Sequence, residues 1–176
     1  MTSLHPQIPE LKNNFPLYDT DYVGWLDSNI EKLRSQNYAQ VDWENLIAEI
    51  ADMAKRERRS LKSNLIIILI HLLKWQFQSD KRTGSWERSI IEHRRRLKES
   101  LKDSPSLKPF LIEIFPECYA DALLQTTAET GLPLASFPDQ SPYDLSQILD
   151  GDFCLNNTGV AEWKHNLPIA RPTKRA

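Results

Sequence analysis

The sequence predicts an all-α fold, a single-domain helical bundle built around one long helix, and three observations carry that reading. Residues 42–78 run for thirty-seven positions without a Gly or a Pro. Within them Trp43, Ile47, Ile50, Ala54, Leu61, Leu65, Ile68, Leu72 and Trp75 recur in steps of three, four or seven, the spacing of one face of a 3.6-residue helix. Shorter stretches on either side repeat the same period, and a chain of 176 residues is long enough to bury a core without cross-links.

The elements follow in order. A Pro-bearing leader, residues 1–17, is expected to be loosely held. Asp19 or Thr20 then caps a first helix through about Gln36, with Tyr22, Trp25, Leu26, Ile30 and Leu33 as its inward stripe and Gly24 as its one weak point. A short connection over 37–40 leads to Asp42, which caps the long helix. That helix is amphipathic to about Lys62, with Asp52 and Arg56 four apart on its outer surface. From Leu65 to Ile70 it is apolar on every side and calls for cover all round. If the short helices of one chain cannot supply that cover, a second copy would, which is the physical reason to expect a homodimer.

Residues 80–84 carry turn chemistry, and Ser85 caps a third helix with Trp86, Ile90, Leu97 and Leu101 facing inward. Three opposite-charge pairs, Arg88 with Glu92, Glu92 with Arg96 and Arg95 with Glu99, are spaced four apart along it. Ser104 and Pro105 open the next helix, which Pro116 should kink or divide and Gly131 should end. Ser141 and Pro142 open a last short helix through Leu149, and residues 154–176 read as a loosely ordered tail.

Composition narrows the function classes. Cys118 and Cys154 stand alone, so neither a disulfide framework nor a zinc site is indicated. The N-terminus lacks the apolar run of a signal peptide, and Leu65 to Leu73 falls short of the roughly 20 apolar residues a bilayer requires. A soluble cytoplasmic protein with no membrane contact is expected. Charge is strongly uneven: residues 55–102 hold fourteen Lys and Arg against five Asp and Glu, residues 1–54 hold three against nine, and residues 103–176 five against ten. A basic middle between acidic flanks either recruits an acidic partner or is neutralised inside the fold, and the second reading comes first.

Several phrases in a fixed order resemble a known family: Leu-Tyr-Asp-Thr-Asp-Tyr over 17–22, His-Leu-Leu-Lys-Trp over 71–75, Ser-Trp over 85–86, Asp-Ser-Pro-Ser-Leu over 103–107, Tyr-Ala-Asp-Ala over 119–122, Glu-Thr-Gly-Leu-Pro over 129–133 and Ser-Pro-Tyr over 141–143. They are similar to the bacterial domain of unknown function 29 (DUF29), a family especially abundant in cyanobacteria. The resemblance covers residues 17–153, implies an all-helical domain over 18–153, and brings no activity, cofactor or catalytic residue with it.

The residues themselves point to an interaction or regulatory module, non-enzymatic and without a cofactor, whose partner is a protein or a second copy of the chain. Its contact surface would be the basic region, with Arg56, Arg58, Arg59, Lys62, Lys74, Arg88, Arg94 and Arg95 as binding residues. The alternative is nucleic-acid association through the same arginines, although Arg94, Arg95 and Arg96 turn about 100° apart on a helix and form no single stripe. A metal-dependent enzyme around His71 and His93, aided by Glu49 or Asp80, ranks last because the tight spacing of a metal-binding helix is missing. Cys118 has no histidine near it in sequence and no activating context.

Overall fold

A computed structural model describes residues 16–151 and Phe153. Among them are six α-helices and no strand: α1 (Pro16–Thr20), α2 (Tyr22–Arg34), α3 (Trp43–Phe77), α4 (Gly84–Asp103), α5 (Leu107–Thr130) and α6 (Leu145–Leu149). The all-α class and the long helix are as the sequence predicts. The chain divides into two compact units, Met1–Ala54 and Lys55–Ala176, and α3 begins in the first and ends in the second.

In the first unit, Pro16–Thr20 forms a helical turn where part of a loose leader is expected. Tyr18 holds it: its hydroxyl donates to Glu49 Oε1 at 2.8 Å, and its ring packs edge-on against Trp25, centroids 4.9 Å apart. The cap of α2 is Asp21, one or two residues later than expected, accepting from the Gly24 N–H at 2.9 Å. Gly24 has a reason to be there, since a Cβ would come within 2.5 Å of the capping carboxylate. At its other end α2 closes with a Schellman pair, Gln36 N–H to Leu33 O and Asn37 N–H to Lys32 O, which forces Gln36 to φ 59°.

The interior of this unit is a polar network around one indole. Trp25 Nε1 donates to Asp42 Oδ2 at 2.9 Å, the Asp42 N–H donates to Asn29 Oδ1 at 2.9 Å, and Asn29 Nδ2 returns to Trp25 O at 2.8 Å. Asn45 Nδ2 adds a further donor to Asp42, 2.8 Å away. Trp25, Asn29 and Asp42 are all but inaccessible to solvent, and a buried carboxylate is tolerable only with such partners.

The apolar core lies in the second unit and is organised on the latter half of α3. Leu61, Leu65, Ile68, Leu69, Leu72 and Leu73 have no exposed surface, and Ile90, Leu97, Leu111, Cys118, Ala122 and Ile148 close around them. Full burial of one such side chain contributes about 1.5–3 kcal/mol, so this cluster dominates the stability of the unit. Lys62 pairs with Glu117 at 2.6 Å and Lys74 with Glu129 at 2.7 Å, each across 55 residues of sequence, so α3 and α5 run side by side in the same direction. The Pro-rich segment after α5 is pinned by Tyr119 Oη donating to Pro138 O at 2.7 Å, Tyr143 Oη to Gln76 Oε1 at 2.6 Å, and the Phe77–Phe137 edge contact at 5.0 Å.

Four boundaries or faces differ from expectation. Thr83, not Ser85, precedes α4. Ser104 ends α4, and α5 starts at Leu107 and runs unbroken through Pro116, which lies on the exposed side of the helix. The last helix opens at Asp144 with a full capping box to Gln147, while Ser141 forms a hydroxyl turn to Tyr143 N–H. One chain covers Leu65 to Ile70: four of the six are buried and Ile66 and Ile67 half-buried, so that stretch gives no reason for a second copy. The expectations for the first fifteen residues and for the tail lie outside the described residues.

Two measurements check these assignments. Gln36→Gly should raise stability to chemical denaturation by about 1 kcal/mol, because glycine adopts the left-handed conformation without a Cβ clash. Arg94, 2% exposed, gives Nε to Ile148 O at 2.7 Å and Nη1 to Phe153 O at 3.0 Å. Arg94→Met should cost about 2–4 kcal/mol in the same assay, since it strands buried carbonyls that a charged donor now serves.

Candidate functional site

The basic residues expected to form a contact surface are largely occupied within the fold. Lys62 sits between Glu117 and Asp121, 2.6 and 3.3 Å away. Lys74 pairs with Glu129 and lies 4.6 Å over the Trp86 ring. Arg95 bridges Glu92 and Glu99, and Arg96 also reaches Glu92 at 2.7 Å; these two guanidiniums draw the Glu92 carboxyl down to about 2. Arg94 is interior and spends its donors on the backbone of residues 147–153. Arg56 and Arg58 are exposed, Arg58 with its guanidinium 5.8 Å from the Phe110 ring. Arg59 and Arg88 are exposed and have no hydrogen bond or ion pair to another described residue. Of the eight residues, Arg94 is interior, Lys62, Lys74 and Arg95 pair with carboxylates, and Arg56, Arg58 and Arg59 on α3 and Arg88 on α4 are exposed.

Directly before that run lies a surface that periodicity placed on the inside. Trp43, Ile47, Ile50 and Met53 are 46%, 62%, 58% and 59% exposed. In the first turns of α3 the side facing α1 and α2 is taken by Asp42, Asn45 and Glu49, with Glu49 accepting from both Tyr18 and Tyr22 hydroxyls. The row Trp43, Ile47, Ile50, Ala54 is turned from that polar side by roughly 120° at 100° per residue. A 3.6-residue period shows that apolar side chains share a face; it does not show which face has a neighbour. The indole of Trp43 is nevertheless fixed, its Nε1 donating to Tyr38 O at 3.0 Å.

Other candidates resolve into structure. His93 Nδ1 meets Asn64 Oδ1 at 2.7 Å, and among the described residues no three His, Cys, Asp or Glu side chains gather at metal-binding distance. Glu49 serves the tyrosines. Cys118 is buried, and burial pushes its thiol up to about 11, away from nucleophilic use. An open cleft of about 490 Å³ beside α3 and α4 is lined by Glu57, Ser60, Asn64, Arg96 and Glu99, most of which already bond to one another or to neighbours.

His71 and His93 both hold their protons less readily than free imidazole. Burial is the main cause for each; Lys74 adds to it at His71 and Arg96 at His93, while Glu129 and Glu92 oppose it. Buried His71 Nδ1 has no hydrogen-bond partner among the described residues, so a proton there gains nothing. The unfolded chain binds more protons, so this contribution is complete above the ordinary histidine value near 6.5 and lost as pH falls through it. Thermal unfolding followed at pH 7.5 and 5.5 should show a lower midpoint at the acid end, and His71→Gln should narrow the gap.

No helix among the described residues is long and apolar enough to cross a membrane. Nothing among curated proteins and nothing among solved structures matches the chain. A family model does: that of the domain of unknown function DUF29 matches residues 17–154, most of the chain and the same span that carries the ordered phrases Leu-Tyr-Asp-Thr-Asp-Tyr to Ser-Pro-Tyr. On that match the chain belongs to the DUF29 family.

Proposed function

We propose that this chain is a non-enzymatic protein-binding module of the cytoplasm, and that its contact surface is the beginning of α3. The observation that carries the reading is the exposed row Trp43, Ile47 and Ile50, with Met53 also exposed beside it and exposed Arg56, Arg58 and Arg59 following on the same helix. Large apolar side chains scattered singly over a surface need no explanation, whereas a row of three along one helix is the form that helix-recognition surfaces take. A Trp held rigid by its own hydrogen bond, with Arg close by on the helix, belongs to the composition of interface anchors. Cys118, buried and unpaired, supports a reducing compartment.

The nucleic-acid reading retains less. Of the arginines it needs, Arg94 is interior and Arg95 and Arg96 are paired with carboxylates, which leaves the α3 run and Arg88. Phosphate contacts would have to come from those few, with correspondingly shallow salt dependence.

A photo-crosslinking amino acid placed at Ile50 and, separately, at Arg88 distinguishes the readings in living cells. The expected outcome is a protease-sensitive adduct of discrete mass at Ile50 and none at Arg88. Nuclease-sensitive adducts at Arg88, with nothing at Ile50, would overturn the protein-binding reading.

A further inference from the structure

We propose that the first turns of α3, Trp43 to Ala54, pair antiparallel with the same segment of a second copy of this chain. This rests on the reading of α3 as a protein-contact surface and names its partner. Three observations lead to it.

The first is an imbalance of burial. Among the described residues of the first unit, nine large apolar side chains are exposed and only two, Trp25 and Val41, are buried. Apolar surface left exposed in this proportion is what a partner covers. Residues 51–60 of α3 are exposed without exception.

Spacing is the second. Trp43, Ile47, Ile50 and Ala54 step by four, three and four, the spacing of a two-helix seam. Antiparallel pairing that sets Ile47 against Ile50 of the second copy also sets Trp43 against its Ala54. Each end of the seam then matches the largest side chain to the smallest, which is how facing positions fill space without voids or overpacking. Parallel pairing would instead set Trp43 on Trp43 and Ala54 on Ala54, crowding one end and hollowing the other.

The third is charge. Glu44 flanks the start of the seam segment, and Lys55 follows its end on the same flank of the helix. In the antiparallel register Lys55 of one copy comes near Glu44 of the second copy. A parallel register stacks like on like, which disfavours the complex.

The test uses the full chain. In sedimentation velocity over a roughly hundredfold range of concentration, the wild type should move from monomer to dimer by mass action. Ile50→Glu, a substitution at an exposed position, should leave the circular dichroism unchanged and weaken the dimer by roughly tenfold or more, since it buries an unpaired charge in the seam. Orientation is read by oxidation in a Cys154→Ser background. A mixture of Trp43→Cys chains with Ala54→Cys chains should form the mixed disulfide, and neither variant alone should cross-link. Cross-linking of Trp43→Cys to itself would overturn the antiparallel arrangement. A monomer at every concentration, whose Ile50 photo-adduct has the mass of some other protein, would overturn the second-copy partner and leave the binding-module reading standing. A monomer with no Ile50 adduct would overturn both.

Discussion

The latter half of α3 is the constraint on which the second unit depends. From Leu65 to Ile70 this helix carries apolar side chains on every side, and such a stretch has no face that water tolerates. Cover must therefore come from all directions. The α4 stripe of Ile90 and Leu97, the α5 stripe of Leu111, Cys118 and Ala122, and Ile148 of α6 supply it. Arg94 belongs to the same arrangement: bringing α6 against α4 seals its guanidinium in, and the carbonyls at the end of α6 compensate it. In a water-poor setting those charge-assisted bonds are strong, and their loss is correspondingly costly.

Charge then follows packing. The composition shows a basic middle and acidic flanks, and the parallel course of α3 and α5 turns part of that contrast into Lys62 with Glu117 and Asp121, and Lys74 with Glu129. Partly exposed pairs of this kind contribute little to stability one by one. Their repeated spacing of 55 residues marks the register of the two helices, which the apolar core enforces. Of the basic side chains outside these pairs, Lys55, Arg56, Arg58 and Arg59 follow closely on one another along α3 just beyond Ala54, all exposed.

The first unit is built on the opposite principle. Its buried centre is Trp25 among Asn29, Asp42 and Asn45, a closed set of hydrogen bonds that demands particular partners at particular places. Such a network specifies a conformation well, but it buries little apolar area. The apolar side chains of this unit consequently remain outside, and the surface most suited to recognition is the product of a polar interior.

Much of this architecture is legible in the residues alone. The extent of α3, the stripes of α4 and α5, the left-handed end at Gly131 and the pairs Glu92–Arg96 and Arg95–Glu99 all depend on neighbours close in sequence, where period and capping chemistry apply directly, whereas the expected Arg88–Glu92 pair does not form. The family phrases extend across the same span. What only the tertiary structure decided concerns which face meets which. Trp43, Ile47 and Ile50 share the period of Leu61 and Leu65 yet lie outside, while Arg94, one of three consecutive arginines, lies inside and its two neighbours remain at the surface. A one-dimensional pattern assigns residues to a side of a helix; whether that side finds apolar side chains, backbone carbonyls or solvent depends on elements tens of residues away.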